Sequence, residues 1–358
     1  MTAVIECPLC QSQHAKSLHK FKGSDVVECA ECHLVYQPTP APEFVAMYRE
    51  SYYVSGRHDK GYFNYESEFE NHLIMFTRRL DECEAMLGHK GRLLDVGCAL
   101  GHLGEAAQRR GWDAYVTDVS EFAVHESRRK YGLNGFISGP EKIPVKPECF
   151  DLITMYDVIE HLSHPMDLLR DVRRTLSAKG VLHVTTPNIA SFSGRVMGSA
   201  WYHIKPDEHF LYFSPKTLTE MLERCGFEVL KVKAVPMYFR LNDILIRLER
   251  YSKPLVRLAR AVFKLIRVND LRIKLYTGEM QAWARPKNAQ GEPKTRPVKD
   301  ILDIVCCPKC GSEIQLFEDT DAICTQCELE FEVTSGVINF SKYAKRTGRT
   351  KRAVGGSS

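Results

Sequence analysis

The chain has 358 residues, 44% of them hydrophobic and 26% charged, and a formal net charge of +4. That length exceeds what one hydrophobic core usually serves, and the ordinary, mildly basic balance excludes a disordered chain and gives no sign of a nucleic-acid binder. No run approaches the roughly 18 apolar residues of a membrane span, and Met1-Thr-Ala-Val-Ile-Glu-Cys7 has no basic region ahead of an apolar stretch, so a cytoplasmic protein is expected.

Residues 1–40 carry two cysteine pairs, Cys7-Pro-Leu-Cys10 and Cys29-Ala-Glu-Cys32, separated by 18 residues. Four thiolates so spaced match a tetrahedral zinc site. Of the 13 cysteines, eight fall into four such pairs, the spacing of metal ligands in a reducing compartment rather than of disulfides. Gln37-Pro-Thr-Pro-Ala-Pro42 then breaks regular structure. Residues 41–90 read as a connecting segment rich in tyrosine (Tyr48, Tyr52, Tyr53, Tyr62) and a leading helix over about 67–87, where Phe69, Leu73, Phe76, Leu80 and Leu87 keep helical spacing.

From Arg92 to about Val235 short apolar strands alternate with amphipathic helices, the signature of a parallel sheet covered on both faces. Strands are expected at 92–96, 114–117, 135–137, 150–155, 181–185 and 227–232, with a last one at 279–284. Between the last two, residues 238–274 form a basic amphipathic helical insertion, with Leu241, Leu248, Leu255, Leu258, Val262 and Leu265 at helical spacing, Pro254 interrupting it, and basic residues in excess. Residues 286–299 read as a linker and 342–358 as a disordered basic tail. In between, 300–341 hold the second module, Cys307-Pro-Lys-Cys310 with Cys324-Thr-Gln-Cys327, and Cys306 as a spare neighbour. Each module supplies four cysteines and no obvious open position, so two structural Zn2+ sites are expected.

In Leu93-Leu-Asp-Val-Gly-Cys-Ala-Leu-Gly-His102 an apolar strand runs into a turn with Gly97, Ala99 and Gly101 and then into a helix. About 20 residues on, Asp118 ends the next strand, where a carboxylate can accept from both hydroxyls of a ribose. Asp95-Val-Gly-Cys-Ala-Leu-Gly101 resembles the D-x-G-x-G-x-G motif of class I S-adenosylmethionine (SAM)-dependent methyltransferases, with Ala99 in place of the middle glycine. Phe150-Asp-Leu-Ile-Thr-Met-Tyr-Asp-Val-Ile-Glu-His-Leu162, Gly180-Val-Leu-His-Val-Thr-Thr-Pro-Asn188 and Pro206-Asp-Glu-His-Phe210 resemble later motifs of the subgroup that includes ubiquinone-pathway O-methyltransferases.

The resemblance covers roughly Arg92 to Arg285. It implies an α/β domain over 91–285, a Rossmann-like, seven-stranded, mostly parallel sheet with helices on both faces, flanked by the two small zinc ribbons. It also implies SAM as cofactor, with Asp95, Gly97, Ala99 and Gly101 under the methionine part, Asp118 on the ribose, and Tyr156 and Asp157 near the adenosine and the methyl group. The N-terminal module resembles a ribbon that precedes the methyltransferase domain in some sugar-modifying enzymes. The C-terminal one is similar to zinc ribbons that activate methyltransferases as separate subunits, here fused in cis.

A hydroxyl acceptor must lose its proton, which a positioned histidine or carboxylate achieves. Glu160, His161, His203, Asp207, Glu208 and His209 are candidates, with His161 and His209 preferred. The expected activity is SAM-dependent methyl transfer (EC 2.1.1.-) to a hydroxyl of a small molecule or a glycan sugar. RNA or protein methylation, suggested by the activator-like ribbon, and a SAM-binding scaffold without catalysis are the alternatives. Nucleic acid is disfavoured, because no arginine-rich stripe with interleaved aromatics occurs outside the apolar insertion. The insertion is expected to meet a partner helix or a membrane surface, the latter placing the protein peripherally at the inner face of a membrane.

Overall fold

A computed structural model describes residues 6–21, 24–38, 52–53, 69–240, 245, 252–265, 271–287, 300–317 and 320–345. Most of the connecting segment (Tyr48 and Tyr62 included), much of the insertion, the linker beyond Lys287 and the tail beyond Lys345 therefore lie outside the described residues, while 342–345, expected as the start of a disordered tail, are the end of a strand over Val337–Lys345.

The described strands are, in chain order, β1 (Ala15–Phe21), β2 (Ser24–Cys29), β3 (Val35–Tyr36), β4 (Arg92–Val96), β5 (Asp113–Asp118), β6 (Asn134–Ile137), β7 (Phe150–Tyr156), β8 (Leu176–Pro187), β9 (Leu211–Tyr212), β10 (Phe227–Arg240), β11 (Arg272–Pro286), β12 (Ile314–Phe317), β13 (Asp321–Cys324), β14 (Leu329–Thr334) and β15 (Val337–Lys345). The central part of the main sheet runs β10-β11-β8-β7-β4-β5-β6. From β6 to β8 all neighbours are parallel, whereas β11 is antiparallel to both β8 and β10.

Consecutive apolar residues serve opposite faces of this sheet. Leu93, Leu152 and Val181 enter one core while Leu94, Ile153 and Leu182 enter the other. Strands buried on both faces need such unbroken apolar runs, which is why β4, β7 and β8 were legible. The chain order reverses between β4 and β7, so a crevice opens at their carboxyl ends, the usual ligand position in sheets of this kind.

Two features depart from expectation. The C-terminal module is an extension of the sheet, because β15 lies parallel to β6 (Ile338 opposite Phe136, Asn339 opposite Ile137) and β12 to β14 continue it to eleven strands. The edge of β6 is thereby paired instead of left open to other chains. Phe340 packs on Phe136 with ring centroids 6.1 Å apart. The insertion also differs at its ends, where β10 and β11 extend the hairpin to Arg240 and Arg272. Its described helix, Lys253–Leu265, places Pro254 in the first turn, where a missing N–H costs no helical hydrogen bond, so the proline starts the helix and does not interrupt it. Val256 on that helix is buried, but Leu258 (64%) and Leu265 (83%) are exposed, so this apolar face is not packed on the sheet.

The N-terminal module forms its own sheet, β1-β2-β3, whose fourth strand is β9 of the main domain. All four cysteine pairs share one turn. The residue after each second cysteine (Gln11, His33, Gly311, Glu328) has φ between 55° and 75° and sends its N–H back to the carbonyl of the first cysteine. Only one of the four is glycine, so a left-handed backbone is accepted at the other three for the sake of the turn.

Candidate active site

The crevice is floored by the turn after β4. Gly97 (φ 75°), Ala99 (φ 47°) and Gly101 (φ 81°) alternate in the left-handed region. A Cβ on Gly97 would stand 2.3 Å from Val158 Cγ2, and one on Gly101 2.5 Å from Ser127 Cβ. Handedness and protein packing together therefore demand glycine at both positions. Ala99 takes the same handedness at the usual cost of a Cβ, about 1 kcal/mol.

Asp118 ends β5 beside this turn. Its two carboxylate oxygens accept from Ala99 N at 3.0 Å and Ser120 N at 2.9 Å. These bonds fix the carboxylate's orientation and leave further lone pairs for a ribose. Burial raises it to about 6, against the pull of the backbone donors. Asp95, also buried, accepts from Thr154 Oγ1 at 2.8 Å and so ties β4 to β7. Burial raises it to about 7.

The two residues at the carboxyl end of β7, Tyr156 and Asp157, separate. Tyr156 turns under the leading helix Phe69–Leu87, where its hydroxyl meets His183 Nδ1 at 2.6 Å and its ring stacks on Phe76. Asp157 stands exposed at the strand end with φ 55° and accepts from Thr185 Oγ1 at 3.0 Å.

The sequence reasoning missed Arg79. It is buried, its guanidinium lies 4.7 Å over the Tyr156 ring and 3.8 Å from Glu279, and none of its three nitrogens has a hydrogen-bond partner among the described residues. A buried guanidinium so placed is matched to a carboxylate. The signal was available, since Arg79 shares the buried stripe of Phe76, Leu80 and Cys83. Tyr53, almost fully buried, stacks on Phe122 above the same turn. The Tyr52 hydroxyl is pushed up by burial and then by the charges of Glu208, Tyr202, Glu160 and Asp118.

His161 and His209 are brought together. Their ring centroids are 4.7 Å apart and perpendicular. His161 Nδ1 donates to the Glu208 carbonyl at 2.8 Å, and His209 Nδ1 donates to the His203 carbonyl at 3.0 Å. Both bonds select the tautomer with its lone pair on Nε2. Burial lowers His161 to about 4 and His209 well below its ordinary range, so both rings are neutral at pH 7. Glu160 adjoins them, buried, with Oε2 accepting from Thr186 Oγ1 at 3.0 Å. Its carboxyl is held well above the usual range by burial and by Asp157. Of the other candidates, Asp207 is exposed and Glu208 pairs with Lys205 at 3.4 Å. His203 packs against Trp201 and Tyr202.

Each set of four cysteines gathers its sulfurs within 4.8 Å. Cys7–Cys32 and Cys10–Cys29 are both 3.5 Å, while Cys307–Cys327 and Cys310–Cys324 are 3.6 and 3.4 Å. A tetrahedron with Zn–S bonds of about 2.3 Å has edges of about 3.8 Å, so the donor sets fit the ion.

A family described as a methyltransferase domain matches residues 69–232. The ubiquinone biosynthesis O-methyltransferase of Parvibaculum lavamentivorans is 32% identical over 102 residues, which are 27% of this chain and 40% of that protein. The protein of the same name from Coxiella burnetii is 24% identical over 169 residues, 44% of this chain and 72% of that one. Among solved structures, a SAM-dependent methyltransferase from Archaeoglobus fulgidus is 20% identical, covering 62% of this chain and 97% of its own length with a TM-score of 0.42.

Proposed function

We propose that this chain, whose residues 69–232 are a methyltransferase domain of the SAM-dependent class, methylates a hydroxyl of a small molecule or glycan sugar. The observation that carries the reading is the pairing of the Gly97–Gly101 turn with an oriented Asp118 on one side of the crevice and two neutral, facing imidazoles on the other. That the curated relatives are O-methyltransferases by name supports an oxygen acceptor.

SAM fits the residues present: Asp118 for its ribose, the 97–101 turn beneath its methionine part, and the Arg79 guanidinium, whose nitrogens have no hydrogen-bond partner among the described residues, for its carboxylate. When bound it supplies a methyl group on a sulfonium whose charge already activates departure. The protein's share is alignment, which can contribute about 7 to 11 kcal/mol, and removal of the acceptor's proton. Nε2 of His161 or His209 receives that proton as the acceptor oxygen gains the methyl group. Burial keeps both bases unprotonated, and the nearby Asp157 carboxylate favours the imidazolium that forms at His161. Two zinc ions, held by Cys7, Cys10, Cys29 and Cys32 and by Cys307, Cys310, Cys324 and Cys327, serve the fold.

A screen of hydroxyl acceptors read by S-adenosylhomocysteine release tests the reading. His161→Ala and His209→Ala should lower turnover of an accepted compound by roughly 10²- to 10⁴-fold with SAM binding retained. Unchanged turnover in both would remove the pair as the base.

A further inference from the structure

We infer that Gln37, at the exit of the N-terminal ribbon, is a positioning residue for the acceptor half of the active site, acting through His209. The inference rests on the reading of the histidine pair as proton acceptors. Gln37 is 4% exposed, and both hydrogens of its side-chain amide are directed at one loop. Nε2 donates to the Pro206 carbonyl at 2.5 Å and to the His209 carbonyl at 2.6 Å. The backbone N–H of Gln37 donates to the Phe210 carbonyl at 2.9 Å. One residue of the ribbon thus holds the carbonyls of three residues in a stretch of five.

The loop is also held by His161 Nδ1 on the Glu208 carbonyl and by the Lys205–Glu208 ion pair. It turns on itself through Glu208 N and His209 N to the Lys205 carbonyl, and it is anchored to the opposite wall by Phe210 N to the Glu160 carbonyl. The His209 ring is held by the His203 carbonyl, which belongs to the same loop. The perpendicular approach of His209 to His161 is therefore set by the loop's path, and Gln37 fixes that path at the backbone of His209 itself.

A general fastening role does not account for the arrangement. The ribbon is already joined to the domain by the β3–β9 ladder, by Arg224 Nη1 on the Leu9 carbonyl at 3.2 Å, and by Leu34 and Tyr36 in the core cluster that holds Phe210 and Leu218. The amide adds two further bonds aimed at the loop carrying the base. Glutamate has the same shape but cannot donate to two carbonyl oxygens.

The test uses the full chain with histidine ring NMR, SAM calorimetry and zinc analysis on wild type and Gln37→Glu. The groups facing His209 are His161, Lys205 and His203, and with burial they hold it neutral. In the wild type its ring should stay neutral as the pH falls through the ordinary imidazole range. In Gln37→Glu the ring should protonate within the ordinary imidazole range, with zinc content and SAM affinity unchanged. The backbone amides of 208–210 should exchange roughly 10- to 100-fold faster, the loss expected for two net hydrogen bonds.

A folded, zinc-loaded Gln37→Glu with wild-type His209 signals overturns the proposal. If that variant does not fold, Gln37→Asn, one methylene too short to reach both carbonyls, is read in the same way. Failure of the base reading is separate, since it appears as unchanged turnover in His161→Ala and His209→Ala whatever the Gln37 variants do to the His209 ring.

Discussion

The two ribbons have the same four thiol ligands and the same left-handed turns, yet they grip opposite halves of the crevice. The N-terminal one pairs β3 with β9 and bonds the loop of His209. The C-terminal one pairs β15 with β6, and Asn339 Nδ2 donates to Glu121 Oε1 at 2.9 Å, at the start of the helix that follows Asp118. Lys342 bonds the same carboxylate. The four-thiol arrangement is thus shared, while the consequence of each cluster is decided by the strand it contacts. One ribbon supports the loop of His209 and the other supports the helix that follows Asp118.

Removing each metal separately should give the largest effects and would break the comparison if the two losses proved alike. A structural zinc site contributes apparent binding energy on the order of 10 kcal/mol in small domains. Cys29→Ser and Cys324→Ser should each reduce bound zinc from two ions to one and lower the melting temperature. The first should spare SAM affinity and perturb His209, and the second should weaken SAM binding while leaving the His161–His209 ring signals in place. Calorimetry and histidine NMR on the same preparations distinguish them.

A smaller effect concerns pH on the ribose side alone. On the proposed reading ribose hydroxyls would donate to ionised Asp118, whose carboxyl takes up a proton below about 6 in the free protein. Affinity for SAM should be level above that pH and fall about tenfold per unit below it. A flat profile from pH 7 to pH 4.5 would contradict the assignment. The smallest change is expected at the turn itself. Ala99→Gly removes the Cβ from a residue at φ 47° and should stabilise by up to about 1 kcal/mol, raising the melting temperature by roughly 2 to 4 °C. A fall in melting temperature would show that Ala99 is held by packing the backbone argument omits.

The sheet was legible because parallel strands buried on both faces leave apolar runs such as Leu93-Leu94 and Leu152-Ile153, and because the glycine turn is local in sequence. The cysteine ligands were legible for the same reason, each pair being a single turn. What escaped was long-range. Nothing in the sequence near Val337 announces that it will pair with β6, and Gln37 reads as the start of a proline-rich break until the carbonyls of Pro206 and His209 are placed against it. Arg79 stands beside Arg78 in the leading helix, and only its place on the buried stripe of Phe76, Leu80 and Cys83 distinguishes the two. His161 and His209 could be named from sequence, but their mutual geometry depends on a loop and a ribbon far apart in the chain.

The central claim, that the crevice holds SAM for methyl transfer, is tested most directly by titrating SAM into the full chain and into Asp118→Ala by calorimetry. The account predicts one molecule bound per chain in the wild type, and at least about a hundredfold weaker binding in the variant, the loss expected for two hydrogen bonds to a charged acceptor. No binding in the wild type, or equal binding in both, would contradict it.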